Sequence, residues 1–115
     1  MVGDKLDKEL LKGSIDILIL LLILNSDKYG YEIAKIIKIN TNNMYQMQEG
    51  TLYPALKRLE QKKLIESYWQ NSPNKIKRKY YKITENGRIE LAFKLKCWDR
   101  IDNLIKTFIN EREGI

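Results

Sequence analysis

At 115 residues with a formal charge of +6, the chain suits a single domain with one modest core. Histidine is absent and cysteine occurs once, at Cys97. A zinc site, a Cys–His pair, a Ser-His-Asp triad and an internal disulfide are therefore excluded by inventory, and neither a cofactor nor enzyme chemistry is expected.

The basic excess is concentrated. Residues 51–82 hold nine Lys/Arg against two Glu, while the remainder carries twelve basic and thirteen acidic residues. One cationic third is the footprint of a nucleic-acid-binding element, although an anionic membrane surface would attract the same patch. Met1 to Glu9 is too polar for a secretory signal, and the apolar run from Ile17 to Leu24 is far below the ~20 residues that span a bilayer. A lone Cys97, read as a small buried hydrophobe, fits a reducing, cytoplasmic setting.

From Lys5 to about Leu24 the pattern predicts a helix that is apolar on most sides in its second half. Such a helix is either central or shared with a second subunit. Asn25-Ser26-Asp27-Lys28 ends it. Tyr29-Gly30-Tyr31 opens a shorter helix running from Glu32 to about Ile39, with Ile33, Ala34, Ile36 and Ile37 inward and Lys35 and Lys38 outward. Asn40-Thr41-Asn42-Asn43 reads as a loop, followed by Met44 to Gln48.

The next helix divides cleanly. Leu52, Leu56 and Leu59, with Ala55, recur on one face; Thr51, Tyr53, Pro54, Lys57, Arg58 and Gln61 fall on the other. Pro54 places the helix start close by, with the cap at Gly50 or a near neighbour. Two short helices joined by a loop meet the outline of a helix-turn-helix.

After Lys63 the period becomes two. Leu64 to Gln70 reads as a strand, Asn71-Ser72-Pro73-Asn74 as a turn, and Lys77 to Ile83 as the returning strand. A hairpin behind a helix-turn-helix is a wing, and Lys75, Lys77, Arg78 and Lys79 sit where it would follow a phosphate backbone. The same run would also serve as a solvated, aggregation-resistant edge.

Thr84 is a good N-cap for a long helix reaching about Arg112, and Glu85 suits its positive end. Two stripes run along this helix. Leu91, Leu95, Trp98, Ile105 and Ile109 form one, broken by Asp102; Cys97, Ile101, Leu104 and Phe108 form the other. One stripe can pack on the first helix of the same chain, and the other needs a second copy. A symmetric homodimer is the default expectation. The fold class is thus mainly α with a small β-hairpin (α+β). Residues 1–83 form a winged helix-turn-helix and 84–115 a C-terminal dimerisation helix, within one compact unit.

Leu11-Lys12-Gly13-Ser14, Tyr29-Gly30-Tyr31-Glu32-Ile33, Glu49-Gly50-Thr51-Leu52-Tyr53-Pro54-Ala55-Leu56, Leu64-Ile65-Glu66-Ser67, Arg78-Lys79-Tyr80-Tyr81 and Thr84-Glu85-Asn86-Gly87-Arg88 together resemble the PadR family of bacterial winged-helix transcriptional regulators. The resemblance extends in order over roughly Leu10 to Asp102. The single last helix is similar to the short subgroup, which includes multidrug-sensing repressors.

The resemblance implies a homodimeric repressor bound to double-stranded DNA, with the helix after Gly50 in the major groove. The Tyr29/Tyr31 region and the wing would approach phosphates. It also implies that Trp98 meets its symmetry mate and sandwiches a planar aromatic effector, with Gly13, Asp16, Ile17, Leu95 and Asp102 around the same pore. From the residues alone, Trp98 is either this platform or an apolar anchor of the dimer core. Asp16 and Asp102 either favour flat cations or are solvated surface groups. A winged-helix module binding protein rather than DNA is the alternative, and it would leave Lys57, Arg58 and the Lys75–Lys79 cluster without a purpose.

Overall fold

The computed structural model describes residues 14–40 and 49–111. Within them run α1 (Ile15–Leu22), β1 (Lys28–Tyr29), α2 (Gly30–Asn40), α3 (Glu49–Gln61), β2 (Ile65–Asn71), β3 (Lys77–Ile83) and α4 (Glu85–Glu111). This is an α+β winged-helix arrangement. The three strands form one antiparallel sheet in the order β1-β3-β2.

Helix α1 buries Ile15, Ile17, Ile19 and Leu20, as its near-continuous apolar sequence requires. The preceding part of the expected helix, from Lys5 to Gly13, lies outside the described residues, as do residues 41–48, where most of the expected Asn40–Asn43 loop falls. At its far end α1 stops at Leu22, two residues short of the expected Leu24. There the Lys28 ammonium donates to the Leu22 carbonyl at 2.7 Å, satisfying an acceptor that the helix leaves open.

The third strand is a departure from the expected two-stranded hairpin. Tyr29 does not begin a helical opening; it ends β1, and Gly30 is already the first residue of α2. Two residues carry no detectable period, so only the pairing of Lys28 with Tyr81 and Tyr29 with Tyr80 defines them as a strand. The Tyr29 amide donates to Glu32 Oε1 at 3.4 Å, half of a capping box at the start of α2.

In α3 the amphipathic division holds: Leu52, Ala55, Leu56 and Leu59 are buried, and Thr51, Tyr53, Pro54, Lys57 and Arg58 are exposed. The helix is described from Glu49 onward, so Pro54 lies beyond its first turn. The missing Pro54 N–H leaves the Gly50 carbonyl without its usual donor, and Gly50 is exposed to solvent that can substitute.

The C-terminus of α3 closes in a Schellman motif. The Leu64 amide donates to the Leu59 carbonyl at 3.0 Å and the Lys63 amide to Glu60 at 2.9 Å. Lys63 adopts φ 62°, a left-handed conformation usually given to glycine. The chain then turns into β2, and buried Leu64 and Ile65 anchor the turn in the core.

Thr84 joins this corner to α4. Its hydroxyl donates to the Lys63 carbonyl at 2.7 Å and accepts from the Gly87 amide at 3.0 Å. Its own amide donates to the Leu64 carbonyl at 3.0 Å. The expected N-cap is therefore also a tie between α3 and α4. Gly87 makes the approach possible, since a Cβ there would stand 2.1 Å from the Leu64 carbonyl oxygen.

The single core draws on every helix and on β2 and β3: Ile33 and Ile37 of α2 and Leu91 of α4 meet the buried residues of α1, α3 and the sheet. Beyond Leu91, α4 continues for about 30 Å at 1.5 Å per residue.

Two substitutions test this corner, in denaturant melts at fixed protein concentration. Lys63→Gly relieves the left-handed strain and should stabilise by about 0.5–1 kcal/mol. Gly87→Ala drives a methyl into the Leu64 carbonyl and should destabilise by about 1–3 kcal/mol.

Candidate nucleic-acid interface

The sheet register decides which side chains meet. Tyr29, Tyr80 and Tyr68 are opposite one another across β1, β3 and β2, and paired residues project to the same side. Their rings form a continuous row: Tyr29 meets Tyr80 edge-on at 5.5 Å between centroids, and Tyr80 stacks on Tyr68 at 5.8 Å. Each end of the row is held by a charge. The Arg78 guanidinium lies 4.5 Å over the Tyr29 ring, and the Tyr68 hydroxyl donates to Asp27 Oδ2 at 2.5 Å. That bond to a carboxylate pushes the Tyr68 phenol up to about 12.

On the opposite side of the sheet, Lys79 lies beside Trp69 and its ammonium stands 5.8 Å over the Tyr81 ring. Tyr81 is buried, and this burial, followed by the nearby Glu60 charge, raises its phenol above the usual range.

The first turn of α2 completes the surface. Gly30 lies beneath the ring of Tyr53, whose Cε1 is 3.1 Å from where a Cβ would be. The missing side chain lets the exposed phenol of α3 rest against α2. Tyr29, Gly30, Tyr31, Tyr53, Trp69, Arg78, Lys79 and Tyr81 thus line one open groove of about 660 Å³. Among the described residues that line it two are cations and none is a carboxylate. The positive end of the α2 dipole opens at the same place.

Five expected DNA-binding residues, Tyr29, Tyr31, Tyr53, Arg78 and Lys79, are gathered at this groove. Thr51, Pro54 and Lys57 continue along the exposed face of α3. Lys75 and Lys77 are exposed at the wing tip. There Ser72 to Lys75 turns with Pro73 second, the Lys75 amide donating to the Ser72 carbonyl at 2.9 Å, and Lys75 takes φ 64°.

Arg58 behaves differently. Its Nη2 lies 2.5 Å from Asp16 Oδ1, so two residues expected at separate sites are partners. Trp69 and Gly30 line the groove in addition to the expected contact residues. Trp69 is a large aromatic left 65% exposed in its strand, and only the register places it here.

The expected effector and dimer residues occupy two environments. Ile17 and Leu91 are buried in the chain's own core, and Leu95, Trp98, Ile105 and Ile109 are exposed on α4. Asp102 pairs with Lys106 at 2.8 Å one turn along, and that contact raises the lysine above its ordinary range. Gly13 lies outside the described residues. Cys97 is half-buried rather than a core residue. Among the described residues no helix is long and apolar enough to cross a membrane.

Residues 19–93 match the model of the transcriptional regulator PadR-like family. An uncharacterised protein from Lysinibacillus sphaericus is 41% identical over 105 residues, covering 91% of this chain and 96% of that protein. The structure of a transcriptional regulator from Clostridium thermocellum superposes with a TM-score of 0.82 at 36% identity, covering 90% of this chain and 98% of that one. A PadR family transcription regulator from Clostridium difficile R20291 gives 0.72 at 41% identity, with coverages of 84% and 98%. A PadR-like regulator from Bacillus cereus gives 0.78 at 30% identity, with coverages of 94% and 100%. The family match spans well over half the chain, and the winged-helix geometry agrees with it: this protein belongs to the PadR-like family of transcriptional regulators.

Proposed function

We propose that the protein is a homodimeric repressor that reads an inverted-repeat operator and is released when a planar aromatic effector binds between the protomers. The observation that carries this reading is the aromatic and cationic groove where Tyr53 of α3, the start of α2 and Arg78 and Lys79 of the wing converge. In this reading α3 enters the major groove. Thr51, Tyr53, Pro54 and Lys57 are the groups available to base edges. Tyr29, Tyr31, Lys75, Lys77, Arg78 and Lys79 hold the flanking phosphates.

Residues 1–83 form the DNA-reading part and 84–115 the dimerising helix. Support for the dimer comes from α4, where Leu95, Trp98, Ile101, Leu104, Ile105, Phe108 and Ile109 are all exposed. Both expected stripes remain open beyond Leu91, and so large an apolar surface fits a helix shared with a second copy. Two-fold symmetry would set the recognition helices about 34 Å apart, one DNA turn.

Trp98, 40% exposed in the protomer, supplies a flat platform at this interface. Asp16 and Asp102 already have cationic partners in Arg58 and Lys106, so stacking on Trp98 contributes more to ligand capture than their charge does. A ligand wedged there would alter the angle between the two DNA-reading halves, coupling the dimer interface to operator affinity.

Gel shifts over a salt series test the phosphate assignment. Arg78→Ala with Lys79→Ala should weaken binding to all duplexes alike and flatten the log K against log[salt] slope by about 0.9 per lost contact. Changes at Thr51 or Tyr53 should instead redistribute preference among operators, and an unchanged affinity in the wing double variant would reject the assignment. For the effector, planar aromatic dyes should quench Trp98 fluorescence and Trp98→Ala should abolish that quenching. Quenching that persists in Trp98→Ala would point to Trp69 or to nonspecific binding.

A further inference from the structure

Arg58 is exposed on the recognition helix, yet its guanidinium turns back to α1. Asp16, in the first turn of α1, receives Nη2 at 2.5 Å. The acid side chain is 17% exposed and the base 46%, so the pair is sheltered on the α1 side and open toward solvent on the α3 side. Apolar packing between the two helices resists separation but is non-directional, and leaves rotation about the helix axis weakly specified. A charged hydrogen bond has direction, and this one spans the two helices across 42 positions of sequence.

The geometry points to Arg58 as a positioning residue: gripped by Asp16, it fixes the rotation of α3 against α1 and thereby sets where Thr51, Tyr53 and Lys57 meet a duplex. The assignment rests on the DNA-reading role proposed above for α3. It takes Arg58 out of the set of DNA contacts and gives Asp16 a partner within its own protomer. Because α1 also packs against α4, the pair places the recognition helix in mechanical series with the long helix.

Simple charge arguments give the opposite sign. Replacing Asp16 with a neutral residue makes the protein more cationic and should strengthen binding to a polyanion. A strut requires the reverse.

The test is a double-mutant cycle on the full chain: wild type, Asp16→Asn, Arg58→Gln and the two combined. Affinity is measured at several salt concentrations for a duplex that the wild-type protein selects from a random pool. Asp16→Asn should weaken binding about two- to fivefold, the range for a partly exposed pair. Arg58→Gln should weaken it similarly with an unchanged salt slope, and the combined variant should be no weaker than either single one. Equal or tighter binding by Asp16→Asn, additive losses, or a slope flattened by about 0.9 per protomer in Arg58→Gln would each overturn the assignment. If either variant fails to fold by circular dichroism, Asp16→Glu and Arg58→Lys keep both charges while changing the reach, and the same non-additivity is required of them. If wild type selects no duplex, the DNA-reading role fails by itself. The strut is then judged by the same cycle in thermal unfolding, where additive effects of the two substitutions overturn it and non-additive ones uphold it.

Discussion

The arrangement turns on one hydroxyl. Thr84 donates to the Lys63 carbonyl at the end of α3 and accepts from the Gly87 amide at the start of α4. Without that dual bond, the polar groups at two helix termini would compete for solvent in a corner flanked by buried Leu64 and Ile83. With it, three features become mutually dependent. The left-handed Lys63 presents its carbonyl, Gly87 allows the approach, and β3 delivers Thr84 to the place where both meet. Helices α3 and α4 are thereby joined through a few backbone atoms.

A second constraint orders the wing. Antiparallel register aligns Tyr29, Tyr80 and Tyr68, so a two-residue strand is tied to a hairpin by rings as well as by ladder bonds. Arg78 over Tyr29 keeps a cation directed, and among the described residues no ion pair answers its charge. Stacking thus fixes the charge while leaving its field open to a polyanion. This contrasts with Arg58, whose charge is answered within the protomer by Asp16.

What the sequence made legible was local. Leu52, Leu56 and Leu59 at helical spacing identified α3, the β-favouring Tyr80, Tyr81 and Ile83 identified β3, and Thr84 before Glu85 identified the start of α4. Each signal lies within a few residues. What it hid depends on distant partners. Lys28–Tyr29 is too short to have a period and becomes a strand only when β3 arrives. Arg58 and Asp16 each look like ordinary surface charges until the fold brings them together. Leu91 and Leu95 belong to one stripe by spacing, yet only the first is buried in the core. Trp69 resembled a generic strand aromatic, and its place beside Lys79 follows from register alone.

The contact of Tyr53 with Gly30 has a consequence for how this surface would discriminate. A phenol at a protein surface ordinarily samples several rotamers and loses that freedom on binding. Here the ring already leans on the backbone of a neighbouring helix, its Cε1 3.1 Å from the vacant Cβ position. Little entropy remains to be surrendered when it docks, and little adaptability remains to excuse a poor fit. On the reading proposed for α3, such a ring would act as a gauge rather than a probe, tolerating few near-matches because its orientation is set before docking.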